Sequence, residues 1–100
     1  MKFKLVPGAQ ADLEAIFAAY EEKGAGLGAK FAREAFHTID VVVENPLAWQ
    51  RIYKQTRRSL LRRFPYMVVY EMEPDLIVIV AIIHQRRRPG AWRNRLNRNA

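Results

Sequence analysis

Two apolar runs, Tyr66 to Met72 and Leu76 to Ile83, constrain this chain more than any other feature. They are rich in branched and aromatic residues, valine and tyrosine in the first and isoleucine and valine in the second, which suit a pleated surface. Glu73-Pro74-Asp75 joins them, and a proline there interrupts any ladder, so the connector separates two strands. The pair reads as a β-hairpin. Arginines flank it, with Arg57, Arg58, Arg62 and Arg63 before the first strand and Arg86, Arg87 and Arg88 after the second. Antiparallel pairing returns both flanks to one edge of the sheet. The two arginine clusters are therefore expected to meet in space.

The rest of the chain must cover this hairpin. Lys2 to Val6 alternates lysine with Phe3 and Leu5, the pattern of a short half-buried strand, and Pro7-Gly8 breaks it. From Ala9 to Lys23 the large apolar residues Leu13, Ile16, Phe17 and Tyr20 recur at helical spacing. Gly24-Ala25-Gly26 stops that helix. A second stripe, Leu27, Phe31, Ala35, Ile39, Val42 and Val43, runs on until Asn45-Pro46. Val41 to Val43 would suit a strand, but the unbroken helical spacing from Leu27 favours helix. Arg51 to Lys54, with Ile52 inward and Arg51 and Tyr53 outward, and Ser59 to Arg63 read as two further short strands. Pro65 marks a bend, and Pro89 to Ala100 has room for one short helix before a frayed tail. The whole is a single α+β domain spanning residues 1–100, in which an N-terminal strand and an antiparallel helical hairpin pack on a mostly antiparallel, twisted sheet.

Charge carries the first functional indication. The formal net charge is +7, and every arginine except Arg33 lies at Arg51 or beyond, so the positive field belongs to the second half. Such a field draws polyanions or acidic protein segments. With no cysteine and only His37 and His84, neither disulfides nor a typical metal site is expected, and no cofactor is implied. No apolar run approaches the roughly 20 residues of a membrane helix. A soluble cytoplasmic protein without a membrane partner is expected.

Taken together, ADLEAIFAAY and GLGAKF in the helices, ENP after them, then RRSLLRRFPYMVVYE and VAIIHQRRRPGAW resemble the RelE/ParE superfamily of small bacterial toxins, and more closely its ParE-like branch. The resemblance spans nearly the whole chain. It implies a type II toxin-antitoxin system, in which a cognate antitoxin wraps the toxin in a hetero-oligomer and neutralises it. ParE-like members poison DNA gyrase, whereas RelE-like members cut messenger RNA on the ribosome. Arg88 stands where the family pattern often has aspartate, which makes this corner still more positive.

Chemistry weighs between these activities. Metal-independent RNA cleavage needs a base, an acid and cations for the phosphate. Arg62, His84 and Arg87 are the candidates for such a centre, and His84 is the only titrating group among them. No tyrosine follows His84, and an indole such as Trp92 stacks but exchanges no proton at useful pH. A binding inhibitor is thus favoured over an enzyme, with a RelE-like endoribonuclease as the alternative and an inactivated relative, acting only in its antitoxin complex, as a third reading. Lys54, Arg57, Arg58, Arg62, Arg63, Arg86, Arg87, Arg88 and Trp92 are the expected contacts to target or nucleic acid. Charge runs are usually solvated, but convergence on one edge favours a contact surface. Leu13, Phe17, Tyr20, Phe31, Met67 and Val69 are the expected antitoxin contacts, since so small a domain has apolar surface to spare.

Overall fold

The computed structural model describes residues 1–88 and 90–96. The chain runs β1 (Lys2–Leu5), α1 (Pro7–Lys23), α2 (Leu27–Glu44), β2 (Gln50–Tyr53), β3 (Thr56–Leu60), β4 (Tyr66–Glu73), β5 (Leu76–His84) and α3 (Gly90–Arg93). One five-stranded sheet has the order β1-β5-β4-β3-β2. Only β1 lies parallel to its neighbour; the other pairings are antiparallel. The expected α+β architecture is present, with the β4–β5 hairpin at the middle of the sheet. The last residues, 97–100, and Pro89 lie outside the described region, as does the tail expected there.

The helical hairpin covers one face. Leu13 and Ile16 of α1 and Phe31, Ala35, Ile39 and Val42 of α2 pack against Val68, Tyr70, Ile77, Ile79 and Ile82 of the sheet. Phe31 is fully buried, so its truncation to alanine would cost about 3–5 kcal/mol. The turn between the helices has two local causes. Gly26 takes φ +85°, a left-handed conformation that suits glycine. The Glu21 carboxylate then reaches from the end of α1 to the start of α2, accepting hydrogen bonds from the backbone N–H of Gly26 at 3.0 Å and of Gly28 at 2.9 Å. Those N–H groups would otherwise lack an intrahelical partner.

The second face carries its own core. Met67, Val69, Val80, Ala81 and Ile83 are buried there with Trp92, which α3 folds back beneath the sheet. Val69 pairs with Ala81 while Tyr70 pairs with Ile79, so Val80 is an extra residue, a β-bulge. It reverses the phase of β5: Ile77 and Ile79 face the helices before it, and Ile82 does so after it. Beyond Leu5, which pairs with Ile79, β1 no longer covers the outer edge of β5.

Several expected boundaries differ for identifiable reasons. The strand expected over Ser59 to Arg63 is Thr56–Leu60, because the chain leaves the ladder after Leu60. The Leu61 N–H donates to the Tyr66 carbonyl at 2.9 Å, and the N–H groups of Arg62 and Arg63 donate to Glu34 Oε2 at 2.7 and 2.8 Å. Lys54, with φ +50°, belongs to the turn and not to β2. A register shift between Arg51 and Tyr53 brings both Ile52 and Tyr53 onto the second-face core, so Tyr53 does not point outward as alternation implied. The first helix begins at Pro7, a residue preorganised for the first helical turn.

Candidate functional site

Register decides where the arginines go. Tyr66 pairs with His84 at the open end of the central hairpin. Just outside that pair the Gln85 N–H donates to the Pro65 carbonyl at 2.9 Å, and the Arg87 N–H to the His84 carbonyl at 2.9 Å. Arg62 and Arg63 on one flank and Arg86, Arg87 and Arg88 on the other therefore leave the sheet at the same end. All five are exposed. Among the described residues the one side-chain ion pair is Arg95–Asp12, so none of the five is neutralised by a carboxylate.

Among the described grooves, Arg62 and Arg63 border different ones from Arg87. Arg62 and Arg63 lie towards α2: Arg63 borders a groove of about 480 Å³ with Lys30, Arg33, Glu34, His37 and Phe64, and both arginines border a neighbouring groove of about 380 Å³ that shares Glu34 and His37. Arg87 lines a separate groove of about 200 Å³ beside α1, shared with Asp12, Tyr66, His84 and Arg95. Packed aromatic rings stand behind this end: Phe64 lies 5.0 Å from Tyr20 and 5.4 Å from Phe31, and Tyr66 lies 5.5 Å from Phe31 and 5.3 Å from His84. These edge-to-face pairs fix both flanking segments to the core.

His84 is committed within this arrangement. Its Nδ1 accepts a hydrogen bond from the Arg86 N–H at 3.1 Å, which orients the ring and engages the Nδ1 lone pair. Among the described grooves, His84 and Arg87 line the one beside α1, and Arg62 lines one beside α2.

The remaining expected contacts lie elsewhere. Arg57 pairs with Tyr70, well inside the sheet, and its guanidinium donates to the carbonyls of Trp49 at 2.6 Å and Leu47 at 3.4 Å. Arg58 bridges to the Gln50 side chain on β2 at 2.9 and 3.2 Å. Both hold the α2–β2 connector and β2 in place. Lys54 sits in the β2–β3 turn, at the other end of the sheet from Tyr66, with its amine 5.5 Å from the centre of the Tyr53 ring. Trp92 is 1% exposed, so its indole is core and offers no stacking surface. Next to it, Arg93 stacks on Tyr53, 3.9 Å from the ring centre.

The expected antitoxin contacts divide in the same way. Leu13, Phe31, Met67 and Val69 are buried in the two cores of this chain. Phe17, at 38% exposed, and the half-buried Tyr20 remain accessible on α1. Sequence reasoning missed Lys30, Arg33 and His37, whose spacing along α2 places them on one stripe beside the apolar one. Two cations and a histidine recurring on one helical stripe were the available signal.

The model of a family described as the ParE toxin of type II toxin-antitoxin system, parDE, matches residues 3–89. Among solved structures, one titled "Chromosomal ParDE TA system from P. aeruginosa" aligns with a TM-score of 0.75 at 24% identity, covering 84% of this chain and 95% of that one. No curated protein matches the chain. The structural likeness agrees with the strand, helical pair and mixed sheet described above. With most of its length matched by the family model, this chain belongs to the ParE toxin family of type II toxin-antitoxin systems.

Proposed function

We propose that this protein is a cytoplasmic toxin that inhibits DNA gyrase and is neutralised by a cognate antitoxin. Family membership supports the toxin role, and the rim at the Tyr66–His84 end supports action by binding. The observation that carries the reading is the combination of five unneutralised arginines with a His84 whose Nδ1 lone pair is already occupied. A surface of that kind engages a macromolecular partner through planar, multiply donating guanidinium groups. His84 at this rim has its Nδ1 lone pair engaged by the Arg86 N–H, which favours binding over RNA cleavage.

The antitoxin reading rests on the exposed side of the helical hairpin. Phe17 and Phe36 are 38% and 39% exposed, and Tyr20, one turn after Phe17 on α1, is half-buried. An amphipathic segment of the antitoxin would cover such apolar surface. Expression in a bacterium that lacks the antitoxin tests the reading: growth arrest with broken chromosomal DNA and intact messenger RNA is expected. Messenger RNA cut in the ribosomal A site would assign the ribonuclease activity instead, and normal growth would assign an inactive relative.

A further inference from the structure

We propose that the groove between α2 and the loop 61–65 binds the phosphodiester backbone of nucleic acid. This goes beyond gyrase inhibition, which requires only a protein contact, and it stands or falls on nucleic acid alone. The groove has two basic walls. Lys30, Arg33 and His37 line α2 with Arg63 on the loop side, and Arg62 borders the neighbouring groove that shares Glu34, His37 and Arg63. At a rise of about 1.5 Å per residue, Lys30 to His37 spans on the order of 10 Å, about three successive phosphates of one strand.

The floor explains why the walls stay in place. Glu34 Oε2 accepts the backbone N–H groups of both Arg62 and Arg63, so the one carboxylate among the described residues lining the groove serves to hold the loop. It leaves Lys30, Arg33, Arg62 and Arg63 as permanent cations, none of which has an ion-pair partner among the described residues. Glu34 keeps its negative charge, so four cations against one carboxylate leave the groove net positive and suited to a polyanion. Guanidinium forks on both walls suit bidentate contact with phosphate oxygens.

Charge also selects among polyanions. An acidic amphipathic helix would need an apolar trough, but Phe64, the one large apolar side chain here, is already packed against Tyr20 and Phe31. What remains exposed is cationic heads on aliphatic stems. That composition serves backbone contacts, which position a nucleic acid without reading its sequence.

Anisotropy of a labelled DNA duplex titrated with the full chain, at several salt concentrations and without gyrase, tests the proposal. Wild-type protein should bind, and binding should weaken steeply with salt. Arg33→Ala with Arg63→Ala should weaken binding at least about ten-fold and reduce the salt slope by about 1 for each phosphate no longer neutralised. Glu34 is retained so that the loop keeps its anchor, and circular dichroism checks that the variant is folded. Arg86→Ala with Arg87→Ala, at the other groove, should leave most of the binding intact. Failure of the wild-type protein to bind the duplex would overturn the proposal. So would unchanged affinity and slope in the groove variant, abolished binding only in the Arg86/Arg87 variant, or displacement of the duplex by polyglutamate as readily as by unlabelled DNA. Because gyrase is absent from every arm, none of these results bears on the gyrase reading.

Discussion

Arg95 and Asp12, 83 residues apart, close the edge of β5 at the point where β1 ends. The guanidinium donates to Asp12 Oδ2 at 2.7 Å, to Asp12 Oδ1 at 3.2 Å and to the Val80 carbonyl at 3.0 Å. The Ile82 N–H donates to Asp12 Oδ2 at 3.0 Å. Two polar groups of an uncovered strand edge, one of them on the bulge residue, are thus satisfied by one ion pair. The pair also ties the segment that follows α3 to α1. An open edge would otherwise invite pairing with another chain.

Removing either partner should therefore destabilise the fold more than removal of an ordinary surface pair. The two side chains are only 23% and 20% exposed, so solvent screens them less than usual. Asp12→Ala is expected to cost about 1–3 kcal/mol, since it strands both the Ile82 N–H and the guanidinium. Asp12→Asn keeps an acceptor for Ile82 and should cost less. Urea unfolding of both variants checks the order, and a double-mutant cycle with Arg95→Ala should show coupling; additive effects would mean that the two residues act independently.

Gly28 sits where the two helices touch. A Cβ there would meet the Phe17 carbonyl oxygen at 2.5 Å, and backbone yields little. Gly28→Ala is expected to lower stability by about 1–3 kcal/mol by forcing the helices apart. At Gly24, where a Cβ would meet nothing within 4 Å, alanine should be tolerated. Thermal melts of the two variants provide the comparison.

Glu21 makes stability depend on pH in a definite direction. Hydrogen bonds from the backbone of Gly26, and next of Gly28, hold its carboxyl below the ordinary value of 4.5. The folded chain binds that proton less tightly than the unfolded one, so the stabilisation is fully present above about pH 4.5 and is lost as pH falls through the lower folded value. Glu21→Gln should accordingly be less stable than wild type at neutral pH, with the gap shrinking in acid. Unfolding midpoints measured across that range would show it, and a gap independent of pH would refute the capping role.

Much of the fold was legible in the sequence because side-chain period reports secondary structure directly. The stripes through Leu13 and Phe31 marked the helices, and the flanking polar residues marked the hairpin. The bulge at Val80 was not legible: a strand buried on both faces is apolar throughout, and the alternation that would reveal a phase reversal is absent. Trp92 was misplaced for a related reason. The second sheet face needs a cover, and a four-residue helix that supplies it leaves almost no periodic signal. Likewise the sequence could not distinguish Arg57 from Arg86. The difference lies in the carbonyls of Leu47 and Trp49, brought to Arg57 by the connector after α2.

That distinction is itself testable. Arg57→Ala should lower stability by about 1–2 kcal/mol, since it abandons those carbonyls. Replacing Arg86, Arg87 and Arg88 together by alanine should leave the melting temperature near wild type, because these side chains are exposed and have no carboxylate partner among the described residues. The triple variant should nevertheless fail to inhibit growth at matched protein levels. Melting curves set beside growth curves separate the two kinds of arginine.

Whether the basic rim disables a protein target by binding it is measured most directly with purified gyrase, relaxed plasmid and ATP, to which increasing amounts of the folded chain are added. Supercoiling should fall as protein is added, cleaved plasmid should accumulate, and the Arg86/Arg87/Arg88 variant should have little effect. Full supercoiling in the presence of excess folded wild-type protein would contradict inhibition of gyrase by this rim.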